Sequence, residues 1–163
     1  MNMRALNSGF TLIEVMIYLA LYSMLFTGAI SGVYALSASA ARDRTAAMID
    51  EEGSFLLAKT EWILSDASQI DVPLTEGPEL VVTDSDGTVV HVGISGGDIY
   101  LRTNSAESET LSNTDVTIHD LIFARSGSST QPLTESFMLS ATTSDGQVLA
   151  RDFTTTVFLR QSI

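Results

Sequence analysis

Ser8-Gly9-Phe10-Thr11-Leu12-Ile13-Glu14-Val15-Met16-Ile17-Tyr18-Leu19-Ala20 is a polar step, a glycine and the opening of a long apolar run. One carboxylate, Glu14, lies inside that run, and no residue from Val15 to Leu36 carries a charge. Those 22 residues suffice for a helix to cross a bilayer core, which takes about 20. The lone acid is the anomaly. An ionised side chain in hydrocarbon costs about 3 kcal/mol on insertion scales, so an intramembrane acid marks a functional position. The plainer alternative is an acid near the membrane surface that reaches water.

Gly9 followed by Phe10-Thr11-Leu12-Ile13-Glu14, with the uncharged run behind it, resembles the N-terminus of type IV pilin precursors and pseudopilins. The resemblance implies that a prepilin peptidase cuts between Gly9 and Phe10. It implies that the new Phe10 amine is methylated and that the apolar helix is kept. Glu14 is then the acid that pairs with the Phe10 amine of a neighbouring subunit, with an inner-membrane platform assembling the fibre. An ion pair in a low-dielectric bundle is costly to break, so it can hold helices in register.

Orientation is weakly encoded. The leader Met1 to Gly9 has Arg4 and the amino terminus as its positive charges, while Arg42 and Arg44 are diluted by Asp43, Asp50, Glu51 and Glu52. The resemblance, rather than the charge count, puts the C-terminal part outside the cytoplasm. A rival reading exists, because Ala38-Ser39-Ala40 fits a secretory signal peptidase site and a cut there releases a soluble protein. The apolar run from Phe10 to Leu36 is far longer than such a signal needs and contains Glu14.

The net charge of −12, from 20 acids against 8 bases, argues against direct binding of nucleic acid or anionic lipid. Without cysteine the chain has no disulfide, thiol nucleophile or thiolate metal site. Pilin-like chains often close a C-terminal loop with a disulfide, and this one cannot.

The periodicity predicts one helix from Phe10 to about Gln69, reaching roughly 90 Å at about 1.5 Å per residue. Its first half contains Gly28-Ala29-Ile30-Ser31-Gly32, a spacing that lets helix backbones approach. In the resembled family, small residues here also mark where the helix loosens on entering the fibre. The second half is amphipathic: Met48, Ile49, Glu52, Phe55, Leu56, Lys59, Trp62, Ile63 and Ile70 recur at three- and four-residue steps. That stripe is expected to cover the core of a globular domain, with Trp62 packed inside and Gly53 a weak point. Pro73 is expected to close the helix, and Leu74 to Pro78 to connect it to a sheet.

From Glu79 the period becomes two. Strands are expected at Glu79 to Thr83, Thr88 to Ile94, Ile99 to Thr103, Val116 to Arg125, Leu133 to Thr143 and Gln147 to Leu159. Asp84-Ser85-Asp86-Gly87, Ser95-Gly96-Gly97-Asp98 and Ser144-Asp145-Gly146 supply turns. Asn104 to Asp115 and Ser126 to Pro132 read as loops. Five or six mostly antiparallel strands packed on the half-helix give an α+β, pilin-like class. The expected organisation is a leader over 1–9, a transmembrane and assembly helix over 10–37, its amphipathic half over 38–72 and a β domain over 73–163. The block Glu51 to Gln69 and the ending Val157-Phe158-Leu159-Arg160 are similar to minor pilins and to type II secretion minor pseudopilins.

Catalytic patterns are thin. Gly93-Ile94-Ser95-Gly96-Gly97 matches G-x-S-x-G, but that motif needs a helix after the turn and here a strand follows. His91 and His119 each sit in an alternating strand, where a surface or edge histidine is the default. Asp84-Ser85-Asp86-Gly87 opens like a calcium loop, then fails at Thr88 and Val89. Some pseudopilins hold calcium in a C-terminal loop, and Asp98, Glu107, Glu109 and Asp115 are the acids such a loop would draw on. A solvated acidic surface is the alternative.

The expectation is therefore a structural subunit without enzymatic activity, cofactor or metal. It rests in the cytoplasmic membrane in contact with lipid, then enters a pilus, secretion or competence fibre. Its partners would be a prepilin peptidase, other pilin or pseudopilin subunits and the assembly platform. Two alternatives stand beside it: a membrane-anchored, adhesin-like binding module, and the soluble protein cut after Ala40.

Overall fold

The computed structural model describes residues 10–104, 106–125 and 132–158. Leu12–Asp66 is one helix, α1. Among the described residues nine strands follow: β1 Ala67–Val72, β2 Glu76–Gly77, β3 Glu79–Asp84, β4 Val89–Ser95, β5 Asp98–Thr103, β6 Glu109–Thr110, β7 Thr117–Arg125, β8 Leu133–Thr142 and β9 Val148–Val157. The chain divides into two compact units, one ending at Ala40 and one starting at Ala41.

In the first unit the helix is bare. Its apolar window has a mean hydropathy of 1.7 and none of it is buried, so it is long and apolar enough to cross a membrane. Three of its hydroxyls bond within the helix: Ser23 donates to the Leu19 carbonyl at 2.7 Å, Thr27 to the Ser23 carbonyl at 2.8 Å and Ser31 to the Thr27 carbonyl at 2.9 Å. Such internal bonds spare the polar groups an unpaired position in hydrocarbon.

In the second unit α1 packs on two antiparallel sheets. One has the order β1-β3-β4-β5-β6 and the other β2-β7-β8-β9. A single core joins Ile49, Leu56, Ile63 and Leu64 of the helix to Leu80, Val82, Val92 and Ile99 of the first sheet. The second sheet adds Ile118, Leu121, Phe123, Leu133, Phe137, Leu139 and Ala141. The strict alternation of β8, buried at Leu133, Glu135, Phe137, Leu139 and Ala141, is the period of two made physical. This is the α+β architecture that the sequence predicts, a long N-terminal helix on antiparallel sheets.

Several details differ from the expectation. The helix ends at Asp66, ahead of the position set by Pro73. Ala67–Val72 instead pairs with β3, with Ile70 opposite Val82 and Val72 opposite Val81. Sheet pairing outcompetes the local helical pattern, and Ser68 fixes it by donating to the Thr83 carbonyl at 2.9 Å. The connector holds β2 against β7, and the polar loop holds β6 against β5, so among the described residues nine strands replace the five or six expected. The seam facing the core is Ile49, Gly53, Leu56, Thr60, Ile63 and Leu64. Trp62, expected in the core, is 64% exposed, and Phe55 is 50% exposed. Gly53 is not simply a weak point: a Cβ there would run into the Phe153 ring, so glycine lets helix and strand touch. The Ser126 to Pro132 loop lies largely outside the described residues.

Candidate functional site

The start of α1 is built by a local rule. Thr11 caps the helix, its hydroxyl accepting the Glu14 amide at 3.3 Å. Thr11-Leu12-Ile13-Glu14 thus has the spacing of a capping box, a signal legible in the sequence. A carboxylate in the first turn also suits the positive end of the helix dipole. Glu14 is half-buried, while Phe10 is 73% exposed. The Phe10 and Tyr18 rings meet edge-to-face at 6.4 Å. Phe10, Val15, Tyr18, Leu19 and Tyr22 line a shallow apolar depression on this unit. Gly9, the expected residue before the cut, and the leader lie outside the described residues. Added Cβ atoms at Gly28 and Gly32 would meet open space, leaving that face free for close approach.

The polar groups of the second unit assemble differently. His91 Nδ1 lies 3.1 Å from Glu79 Oε1 and 3.2 Å from an Arg102 nitrogen. His91 Nδ1 either donates to the acid or accepts from the guanidinium, and the ring's tautomer decides which. The Tyr100 hydroxyl donates to the same Glu79 oxygen at 3.4 Å. Burial, then the Glu79 charge, hold the Tyr100 hydroxyl above its ordinary range. His119 Nε2 lies 2.9 Å from the Ser140 hydroxyl. Both histidines are half-buried on strands, rather than lying on an open surface.

Ser95 of the G-x-S-x-G pattern closes a β4–β5 hairpin opposite Asp98, with Gly96 and Gly97 at φ of 66° and 94°. A two-residue turn of that hand requires glycine-like conformations, so turn geometry accounts for the pattern. Asp84 and Asp86 turn β3 into β4 beside the helix end. The Asp84 charge, more than burial, holds the Asp66 carboxyl above the usual range. The Thr88 hydroxyl and amide, donating to Asp86, hold that acid below it. Among the described residues no three acids or histidines are placed to hold a metal ion.

One buried acid was missed by the sequence reading. Glu135 on β8 is 1% exposed. Its Oε1 accepts from the Thr60 hydroxyl at 3.3 Å, and its Oε2 has no partner. Burial pushes its carboxyl up to about 8, against a smaller downward pull from Thr60. The inward parity shared with Leu133 and Phe137 was the available signal.

Residues 4–30 fit the model of the prokaryotic N-terminal methylation motif. No curated protein and no solved structure matches the chain. The chain therefore carries, on a bare apolar helix, the N-terminal methylation signal of type IV pilins and pseudopilins, the mark of a pilin-like protein processed by prepilin peptidase.

Proposed function

We propose that this protein is a structural subunit, a minor pilin or pseudopilin, of a type IV pilus or of a secretion or competence pseudopilus. The match over residues 4–30 carries the reading, supported by the uncovered helix that begins at Leu12. In this reading the peptidase cuts between Gly9 and Phe10, and the Phe10 nitrogen is methylated. Before the cut that nitrogen is an uncharged amide; afterwards it is an amine that carries a positive charge. Cleavage therefore creates the cation that Glu14 of an adjacent subunit would pair with. The helix waits in the inner membrane with the C-terminal unit outside the cytoplasm, then moves into an apolar bundle of helices. Leaving lipid for that bundle is tolerable because both surroundings are apolar, and the ion pair sets the stagger.

The test is Glu14→Ala in cells carrying the native assembly machinery. Membrane insertion and removal of the first nine residues should be unchanged, while incorporation into fibres falls at least about tenfold, the consequence of losing roughly 1.4 kcal/mol of pairing. Normal incorporation of the variant, or a mature protein that retains its leader, overturns the reading.

A further inference from the structure

Along β3, β4 and β5 the side chains alternate. Leu80, Val82, Val92 and Ile99 enter the core, and Glu79, His91, Tyr100 and Arg102 stand on the opposite face of the sheet. Toward β6 that face holds a 450 Å³ cleft lined by Ser95, Asp98, Tyr100, Arg102, Ser108 and Thr110. Small-molecule sites run from about 300 to 1,000 Å³. The walls are held from behind. Gly93 faces Tyr100 in the ladder, and a Cβ there would run into the Tyr100 hydroxyl, so glycine lets the ring lie across β4. Beyond Gly93, Glu79 on β3 accepts from that hydroxyl at 3.4 Å. A terminal nitrogen of Arg102 rests 3.2 Å from His91 Nδ1. Asp98 Oδ1 accepts from the Ser112 hydroxyl at 3.2 Å, which orients the carboxylate. Walls fixed in this way lose little freedom when a ligand arrives.

The chemistry of the lining selects the occupant. Among the described residues Arg102 is in no ion pair, and its Nε is buried without a partner, so the guanidinium has bonding capacity left over. It offers donors only, the Asp98 carboxylate offers acceptors, and the Ser95, Ser108 and Thr110 hydroxyls offer both. The Tyr100 ring adds an apolar edge. An anion would meet the carboxylates of Asp98 and Glu79 against one guanidinium, and a cation would meet that guanidinium. A neutral ligand rich in hydroxyls satisfies every group at once, each hydroxyl donating to one wall and accepting from another. We propose that this cleft on β4, β5 and β6 binds an uncharged saccharide, with Arg102 and Asp98 gripping its hydroxyls and Tyr100 packed beside a ring. The cleft lies wholly in the second unit, so its fate is separate from that of the N-terminal processing scheme.

The full-length protein in zwitterionic nanodiscs is applied to an array of immobilised oligosaccharides. The array carries uncharged glucose, galactose and mannose oligomers, glucuronate-bearing oligomers and oligomers with free glucosamine amines. Uncharged members should bind in preference to both charged classes, and raising salt should leave their binding unchanged. The best uncharged member is then titrated against the nanodiscs by saturation-transfer NMR. Arg102→Gln should weaken it about tenfold. Thr110 is exposed on a two-residue edge strand, so Thr110→Tyr fills the cleft without entering the core and should abolish binding. Thr154→Ala, on the other sheet, should bind like the parent. The proposal is overturned if no array member binds, if a charged class binds as well as the uncharged one, or if Thr110→Tyr binds like the parent. It is also overturned if Thr154→Ala weakens binding as much as Arg102→Gln does. Circular dichroism of each variant confirms that the fold is kept.

Discussion

Glu135 and Gly53 show how single residues set the stability of the C-terminal unit. Glu135 is ordinarily ionised above about pH 4.5 in the unfolded chain, but in the fold burial holds its proton until about pH 8. The folded state therefore binds the extra proton between those two values, and stability must fall as pH rises through that window. Below it both states are protonated and nothing is lost; above it both are ionised and the whole penalty is present. The penalty is on the order of 5 kcal/mol. Glu135→Gln should thus raise the melting temperature at pH 8 and leave it nearly unchanged at pH 4.5. Equal effects at both pH values would show that the carboxyl is not held protonated. Gly53→Ala tests close packing. The gain in helix propensity is about 1 kcal/mol, whereas forcing a methyl into the Phe153 ring costs about 1–3 kcal/mol. Net destabilisation in chemical denaturation is expected, relieved by the double change Gly53→Ala with Phe153→Leu.

At the scale of elements, the switch from α1 to β1 at Asp66 is held from outside the helix. Asp66, Asp84 and Asp86 gather where the helix ends, and a negative charge is unfavourable at that end of the dipole. Asp84→Asn should therefore slow amide hydrogen exchange over the last turn, Ile63 to Asp66. Unchanged exchange would mean that the acids do not govern fraying there. The β7 strand has its own device. Its pairing with β8 slips between His119 and Ile122, and Asp120 adopts a φ of 55°. That bulge sets the buried side chain at Leu121 and restores inward parity at Phe123.

Across the whole molecule, acidity is the dominant charge feature. Arg42–Asp145 and Arg151–Asp50 are exposed pairs, which water and salt screen, so each contributes little. Repulsion within a chain of net charge −12 acts over the entire surface. Raising salt about tenfold, which cuts the screening length about threefold, should raise the melting temperature at neutral pH. A fall would mean that the two pairs outweigh the general repulsion.

What could be read in advance follows from the range of each interaction. The uncharged run, the motif from Gly9 to Glu14 and the hairpin turns at Gly87, Gly96 and Gly146 are properties of a few adjacent residues. They were therefore written in the order of residues, and with them the α+β class and the membrane-length helix. Trp62 on the outside, β1 in place of the last helical turn, Gly53 under Phe153 and Glu135 inside the core depend on distant partners. Linear periodicity marks a greasy side of a helix but not which part of it a sheet will cover. That choice belonged to the tertiary structure, because only packing decides which surfaces lose their water.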